Sequence, residues 1–417
     1  MDPAPLASVT ATTVSPLSSA QGSEFQSCWD LVVVGGGAAG FMAAVTAAEN
    51  NVQRVVVLEA TPQPLSKVRI SGGGRCNVTH ACWDPTELVS HYPRGQRPLR
   101  GPFSRFAAGD AIAWFSDHGL ELVAEADGRM FPTANRSTAV VNCLRDAARH
   151  RGVSLETSVL VQRLEPLAEG GFAVHCRGGR RLKTRKVLLG TGGHPSGRRM
   201  AGLLGHRLIA PVPSLFTLAL DAPELVHCAG IALDDVALTL QFEAEKFHQQ
   251  GRILLTHWGL SGPALLRLTA FAARVLHGQR YKASLRVGWC GQQPLAELHE
   301  LMQQLRRSSA RRTLAAARPF PERLPRRLWL AFLQVVGVDP NLRWADCPRR
   351  VEKDLAARLH QSTYPVKGRG PFGEEFVTAG GVDLGEINLA TMESRVQDGL
   401  YVVGELLDVD GVTGGFN

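Results

Sequence analysis

The sequence has no hydrophobic run long enough for a transmembrane helix, because none of its windows holds eighteen consecutive apolar residues. It also has no Cys-x-x-Cys pair. Its eight cysteines are scattered, so we predict no zinc site, iron–sulfur site or other metal site, and no disulfide framework. Residues 1–28 lack both lysine and arginine, as well as the apolar stretch of a secretory signal. We therefore expect a cytoplasmic protein with reduced thiols, no membrane partner and a disordered tail at 1–28.

Positive charge is in excess in only one segment. The 417 residues include 46 Lys+Arg and 38 Asp+Glu, a formal net charge of +8, and residues 301–350 alone hold eleven basic and three acidic residues. Aromatic residues make up 6% of the chain, and no aromatic-rich RNA-binding sheet motif accompanies the basic segment. We interpret it as a solvated helical surface and do not expect a nucleic-acid partner, with an RNA-binding track as the alternative. Its arginines are Arg306, Arg307, Arg311, Arg312, Arg326 and Arg327.

Both ends of the chain have the pattern of strands and glycines that is typical of an α/β nucleotide-binding domain. Residues 29–34 and 54–58 read as buried parallel strands around an Ala-rich helix at 41–50, and 153–164 reads as a later strand. Residues 207–257 alternate as in antiparallel strands, and 294–362 are mainly helical. We predict a discontinuous Rossmann-like domain of 29–200 and 364–417. An inserted domain of 201–363 would be mainly β at 201–290 and mainly α at 291–363.

A glycine-rich turn directly follows the first strand. Gly35, Gly37 and Gly40 fit G-x-G-x-x-G between a strand and a helix, as the dinucleotide motif requires. Gly35 permits the tight turn, Gly37 lets a pyrophosphate approach the backbone and Gly40 lets the helix pack on the strand. Glu59 ends the second strand, where a carboxylate accepts hydrogen bonds from ribose hydroxyls and repels a ribose phosphate, which argues against NADP. The alternative is a glycine-rich turn beside an exposed glutamate.

A second glycine-rich loop favours FAD over NAD at this site. It spans residues 70–77, and a simple NAD dehydrogenase does not need such a loop after the acidic residue. Its three successive glycines, 72–74, could form an anion-binding nest for the diphosphate. The chain has only one dinucleotide fingerprint, so NAD(P)H would be at most a transient electron donor.

These blocks and several later ones resemble the BaiN/YhiN-type flavoproteins, also called the aminoacetone-oxidase-type FAD-binding family. The similar blocks are VVGGGAAG at 33–40, ISGGGRCNVT at 70–79, GRMFP at 128–132, THWGLSGPA at 256–264, VTAGGV at 377–382 and GELLDVDGVTGGFN at 404–417. The resemblance implies an FAD-dependent oxidoreductase with non-covalent FAD in a glutathione-reductase-like Rossmann domain. An inserted β-barrel-like and helical domain would cover the flavin. Proposed activities in the family include a Δ4-enone steroid reductase and an amine oxidase.

The resemblance also assigns cofactor-binding residues along the chain. At the ADP half it places Gly35, Gly37, Ala38, Ala39, Gly40 and Glu59, with Val161 at the adenine. Toward the diphosphate and flavin it places Lys67, Arg69, Gly72, Gly73, Gly74, Arg75 and Asn77, with Gly404 and Glu405 at the ribityl chain. Thr191 and Gly192 are also predicted to bind the cofactor. Gly414, Gly415, Phe416 and Asn417 would begin a helix whose amides face the flavin pyrimidine and stabilise reduced flavin.

Residues outside this set leave alternatives open. His257 could donate a proton or orient a substrate near the flavin, or be a structural histidine. Cys76 could be a redox thiolate, although packing is the favoured role. Asp408 and Asp410 could touch the cofactor or cap the terminal helix. Arg75 could neutralise the diphosphate, which we favour, or pair with a nearby acid.

Three functions follow from these patterns. The first is an FAD-dependent oxidoreductase that passes electrons between a small organic substrate and NAD(P)H or O2. The second is a flavin-dependent RNA-modifying protein that uses the arginine-rich segment. The third is an inactive flavin-binding protein, because the sequence stops at Asn417 where the family continues into a helix. On that reading the terminal segment would fray and hold FAD loosely.

Overall fold

The computed structural model describes residues 28–371 and 377–417, so the predicted tail lies outside the described residues except for Cys28. The strands are β1 Cys28–Val34, β2 Val55–Leu58, β3 Thr79–His80, β4 Leu122–Ala124, β5 Arg129–Pro132, β6 Ser154–Glu156, β7 Val161–Pro166, β8 Phe172–Cys176, β9 Arg181–Leu189, β10 Leu208–Ser214, β11 Leu218–Leu220, β12 Ala232–Gln241, β13 Lys246–Thr256, β14 Gly259–Ser261, β15 Ala283–Gly288, β16 Ser362–Arg369, β17 Val377–Val382, β18 Ile387–Asn388, β19 Glu393–Ser394 and β20 Leu400–Val402. The helices are α1 Ala38–Glu49, α2 Ser66–Gly74, α3 Pro85–Ser90, α4 Arg100–Phe103, α5 Ala108–Asp117, α6 Ser137–His150, α7 Pro195–Leu203, α8 Pro263–Gly278, α9 Leu295–Ser308, α10 Arg326–Val336 and α11 Arg349–His360.

A nine-stranded mixed sheet forms the Rossmann part. Its parallel centre runs in the order β6, β2, β1, β9, β20, and Val32 pairs with Val56 on one side and with Val187 on the other. These central strands are continuous apolar runs because helices cover both faces of the sheet. Helices α1 and α6 supply the core on one face and α7 packs on the other. The Rossmann-like α/β fold predicted from the sequence is confirmed.

The strand predicted over 153–164 is two strands, β6 and β7. Ser158, between them, has a left-handed backbone with φ of 59°. The amide of Val159 donates to the carbonyl of Glu59 at 2.9 Å, so the chain turns at the end of β2 before it enters the β7–β8 hairpin. The prediction of one strand was wrong because the apolar pattern does not reveal this turn.

A closed six-stranded barrel lies in the middle of the chain, in the order β11, β14, β13, β12, β15, β16. Buried side chains of strand β12 alternate with exposed or partly buried ones, which is the period-two pattern expected of a strand with one face in a core. The buried residues of the barrel share one core with α8, α10 and α11. The middle of the chain therefore forms a barrel with packed helices, as the sequence predicted.

Two features bear on the predicted domain boundaries. Strand β16 closes the barrel and continues to Arg369, beyond the predicted boundary between 363 and 364. Strands β10 and β17 pair antiparallel as a two-stranded ribbon through which the chain leaves the sheet region and returns. The exact division into domains stays a prediction. None of the helices in the described part of the chain is long and apolar enough to cross a bilayer.

Candidate dinucleotide site

The first glycine loop has the shape that a dinucleotide needs. A Cβ added to Gly40 would lie 2.0 Å from the carbonyl oxygen of Gly35, so only glycine lets α1 start this close to β1. Gly35 has a φ of 109°, and a Cβ there would lie 2.6 Å from the oxygen of Gly190. A Cβ on Gly37, in contrast, would meet no atom within 4 Å. The open side of the loop is therefore the side that faces the N-terminus of α1.

That helix N-terminus has free donors. Gly37 is the N-cap residue of α1, no side chain caps it, and the first turn holds no acidic residue. The first amides of a helix have no intrahelical acceptor and carry a partial positive charge. Ala38 and Ala39 are small and leave these amides accessible. The arrangement fits the diphosphate of a dinucleotide, which is the ligand this kind of turn binds.

Glu59 is tied to the glycine loop by its side chain. One carboxylate oxygen, Oε2, accepts a hydrogen bond from the amide of Gly36 at 2.8 Å. The other, Oε1, accepts from the amide of Thr61 at 2.8 Å and from its hydroxyl at 2.7 Å. A carboxylate has about four acceptor positions, so Glu59 retains capacity for ribose hydroxyls. This carboxylate is an anchored part of the loop, unlike the exposed glutamate of the alternative interpretation.

Several other predicted cofactor residues gather beside α1. Lys67 and Glu405 form an ion pair with an Nζ–Oε2 distance of 3.0 Å. A Cβ on Gly192 would lie 3.6 Å from that same Glu405 oxygen, and a Cβ on Gly404 would lie 2.9 Å from the Cβ of Ala39. Positions far apart in sequence thus converge on the open side of the first loop.

The second glycine loop has an unusual backbone. Gly72, Gly73 and Gly74 have φ values of 56°, 68° and 86°, so all three are left-handed in succession, without the αR–αL alternation of a nest. Anion binding by this loop stays a prediction. Cβ positions on Gly73 and Gly74 face open space, so the backbone there remains approachable. Asn77 follows, and its Oδ1 is buried without a hydrogen-bond partner in the described part of the chain.

The terminal segment packs against the residues after this loop. A Cβ on Gly415 would lie 2.4 Å from the oxygen of Thr79 and 2.9 Å from Oδ1 of Asn77. The φ values of Gly414 and Gly415 are 117° and 103°, so the predicted helix start is wrong and residues 413–415 form a turn. Asn417 exchanges two hydrogen bonds of 2.7 Å with the backbone of Gly411. Phe416 is buried, so the segment packs against the rest of the protein, and the fraying stays a prediction.

Three further predicted residues lie around this site. Thr191 Oγ1 is buried with no partner among the residues that the structure describes. Val161 is buried at the start of β7, two residues after the Val159 amide that binds Glu59. Arg69 lines a polar cleft with Arg145 and Thr157. The orphaned oxygens of Thr191 and Asn77, together with the open glycine backbone, fit a bound flavin dinucleotide.

Arg75 and Cys76 have protein partners. Arg75 pairs with Glu125, hydrogen-bonds Asn135 and lies over the Phe131 ring, with the guanidinium carbon 3.9 Å from its centroid. The structure thus shows the alternative in which Arg75 pairs with a nearby acid. Burial raises the pKa of the Cys76 thiol, which favours the neutral form and a packing role.

Asp408 and Asp410 take part in ion pairs that neither of our alternatives described. Asp408 accepts from Arg274 at 2.6 Å, and Asp410 pairs with Arg94 in a buried contact that includes the hydroxyl of Ser214. Burial, and then the nearby Arg274, lower the pKa of Arg94 to about 10, so it remains charged at neutral pH. These ion pairs connect Asp408 and Asp410, which precede the terminal turn, to α8 and β10.

His257 lies in the turn between β13 and β14 of the barrel and is exposed. No hydrogen bond to its ring is formed within residues 28–371 and 377–417. None of the described acids forms an ion pair with it either, and its roles in proton donation or substrate orientation stay predictions.

A Ser–His–Glu chain was not found from the sequence. Nδ1 of His206 lies 3.0 Å from Glu386 Oε2, and Nε2 lies 2.9 Å from Ser394 Oγ. The order resembles a hydrolase triad. Ser394 is buried, however, and its Oγ also accepts from the amides of Val396 and Gln397. Its burial favours a structural role, in which the chain of bonds joins the turn after α7 to the sheet edge.

Comparison with known proteins identifies the family. Residues 29–417 match the family described as HI0933-like protein Rossmann domain. This chain belongs to that family. Its relatives include a 3-dehydro-bile acid delta(4,6)-reductase of Clostridium scindens, 28% identical over 92% of this chain and 94% of the relative. Another is a ribosomal RNA dihydrouridine synthase of Escherichia coli, 28% identical over 93% of this chain and 94% of the relative.

Among solved structures, the 3-ketosteroid-delta4-(5alpha)-dehydrogenase of Rhodococcus jostii RHA1 matches 97% of this chain and 95% of its own. The identity is 16% and the TM-score is 0.47. For this HI0933-like chain, the family match confirms the predicted family resemblance and the predicted enzyme class, an FAD-dependent oxidoreductase.

Proposed function

We propose that this protein is a reductase with non-covalent FAD that reduces an activated carbon–carbon double bond in a small ring-shaped molecule, with NAD(P)H as electron donor. The observation that carries the FAD part is the open backbone at Gly37, at an uncapped helix N-terminus beside the anchored Glu59. The reaction type rests on the two relatives, whose names both describe a reduction, of a delta(4,6) unsaturation and of uridine to dihydrouridine.

In this proposal, residues on the two sides of the first glycine loop bind different parts of the cofactor. The amides at Ala38 and Ala39 would bind the diphosphate, and Glu59 would bind the adenosine ribose. Asn77 and the backbone at Gly415 would hold the flavin ring, and Lys67 with Glu405 would lie toward the ribityl chain. Bound FAD would supply the two-electron chemistry, while the protein supplies position and electrostatics.

The electron donor would bind transiently. The only dinucleotide fingerprint in the described chain is the one at Gly35–Gly40, so no second domain of this kind exists there for NAD(P)H. In our proposal His257 donates a proton to the substrate or orients it. A His257→Gln variant should then lower turnover while the rate of flavin reduction by the nicotinamide is unchanged.

The experiment has two stages. The purified protein should be yellow, and heat should release free FAD; release of FMN, or absence of flavin after reconstitution, would contradict the cofactor assignment. Anaerobic mixing with NADH or NADPH should bleach the flavin. A ring-shaped enone should then restore the oxidised spectrum without air. If none of a panel of ring-shaped enones restores it without air, the reductase proposal fails.

A second candidate, modification of ribosomal RNA, is favoured by the names of two relatives. The arginine-rich segment supports it weakly, because several of its cations have partners inside the protein. Arg306 pairs with buried Glu352, and Arg312 and Arg327 donate to backbone carbonyls. We expect binding to a ribosomal RNA fragment to be no stronger than to unrelated RNA at physiological salt. Tight, selective and steeply salt-dependent binding, weakened by Arg307→Ala with Arg311→Ala, would reverse this ranking.

A further inference from the structure

Three side chains around α3 form a cluster that the dinucleotide site does not use. Cys82 precedes this helix, Glu87 lies within it and His91 follows it directly. The sulfur of Cys82, a carboxylate oxygen of Glu87 and a ring nitrogen of His91 all lie within 4.8 Å of one another. Residues four apart share a helix face, which explains why Glu87 and His91 meet.

The ligand atoms of this cluster are free of strong competing bonds. The Cys82 thiol has one hydrogen-bond contact in the described part of the chain, with the carbonyl oxygen of Asp84 at 4.0 Å, the outer limit for sulfur. No other residue in the described part of the chain hydrogen-bonds the Glu87 carboxylate or the His91 ring. The Asp84 carboxylate is occupied in part, since it caps α3 through the amide of Thr86 at 2.8 Å.

The surroundings combine a buried wall with an open side. Cys82 is 4% exposed and packs with Leu88, Leu215 and Phe416, whereas Glu87 is exposed. A cation can therefore enter from the Glu87 side and reach the thiol. A thiolate and a carboxylate together carry two negative charges, which a divalent cation neutralises.

We propose that Cys82, Glu87 and His91 bind one zinc-type divalent cation. Sulfur, imidazole nitrogen and carboxylate oxygen are the zinc ligands of proteins, and this mixture disfavours magnesium and calcium, which take oxygen ligands. Three protein ligands leave a fourth position for water or a small ligand. Our sequence analysis predicted no metal because it looked for paired cysteines.

The proposed metal would also fix the terminal turn. The carbonyl of His91 accepts from the amide of Val412 at 2.9 Å, and its ring stacks on Phe416 with centroids 4.0 Å apart. A metal ion that fixes His91 would therefore also fix the terminal segment, which packs on Asn77. The metal proposal does not depend on the flavin reaction, and its test does not use activity.

The test is titration of the tag-free, metal-stripped, flavin-loaded protein with CoCl2 under reducing conditions. Tetrahedral Co²⁺ has visible d–d bands to the red of flavin absorption. We expect one cobalt per chain, displaced by ZnCl2, and a rise in melting temperature with ZnCl2. Absence of stoichiometric cobalt bands in the unmodified protein would overturn the proposal.

Variants separate this site from other thiols. Cys82→Ser should weaken cobalt binding by more than about 100-fold, since even outer-shell partners of metals are worth about 10–100-fold. Glu87→Gln, at an exposed position where folding is not at risk, should also weaken it. The matched control Cys143→Ser removes another buried thiol and should leave binding unchanged. Unchanged bands in Cys82→Ser, or equal loss in Cys143→Ser, would refute the assignment.

Discussion

The nucleotide loop and the barrel both contain glycines that no other residue could replace without a clash, but the nucleotide loop also contains a glycine whose missing side chain leaves open space. In the barrel, a Cβ on Gly259 would lie 2.3 Å from the oxygen of Leu218, and one on Gly262 would lie 2.7 Å from the Cα of Ile253. Gly40 in the nucleotide loop is of this kind. Gly37 is not, because nothing in the described chain occupies the space beside it. Gly40, Gly259 and Gly262 therefore serve the packing of the fold, whereas the open side of Gly37 leaves room for a ligand.

Gly40→Ala should have the largest effect. The new methyl group would lie 2.0 Å from the backbone oxygen of Gly35, which cannot move without shifting β1. Overpacking usually costs about 1–3 kcal/mol, and we expect the upper end or more here because the clash is with backbone. Urea unfolding measures the loss. A variant as stable as the unmodified protein would show that α1 can move away from the sheet.

Glu59→Ala should weaken FAD binding by about 1.5–3 kcal/mol, the value of a hydrogen bond to a charged group. The carboxylate also binds the amides of Gly36 and Thr61, so part of this loss would come from a looser loop. Glu59→Gln, which keeps an acceptor for Gly36, should lose less. Equilibrium dialysis of FAD gives the affinity, and turnover of FAD-saturated enzyme should change little. An unchanged dissociation constant would remove Glu59 from the site.

Gly259→Ala should destabilise the barrel by about 1–3 kcal/mol, since the added methyl group meets backbone on the neighbouring strand β11. FAD affinity of the folded fraction should stay the same. Thermal unfolding and FAD titration on one sample test both parts. If FAD affinity fell with stability, the two kinds of glycine would not be separable.

Gly37→Ala should show the reverse pattern with the smallest change in stability. Alanine is a poorer N-cap than glycine, and we expect a loss of no more than about 1 kcal/mol in unfolding free energy. FAD affinity should fall at least about tenfold, or about 1.4 kcal/mol. Gly109→Ala, another open glycine but in α5, is the matched control and should leave FAD binding unchanged. Normal FAD binding by Gly37→Ala would mean that the cofactor does not approach this backbone.

The parts of the structure that the sequence predicts well are those that short spacings determine. The turn from β1 to α1 and the acid at the end of β2 lie within a few tens of residues, and their order alone indicates the nucleotide loop. The closing of the barrel by β16 could not be predicted, because it depends on pairing with β11 and β15 far away in sequence. The terminal helix was predicted wrongly since contacts with Thr79 and Asn77, not local propensity, set the backbone of Gly415.

The pairing of β20 with β9 has a consequence for synthesis on the ribosome. Leu400 pairs with Val187, and the barrel with its helices is made between these two residues. A nascent chain can therefore complete the barrel core while the C-terminal half of β9 still presents an unpaired edge, the kind of edge that promotes association. Ribosome-bound chains arrested shortly before β20 should contain a protease-resistant barrel and a protease-sensitive sheet. The nucleotide loop is translated first, but the sheet that supports it is completed last.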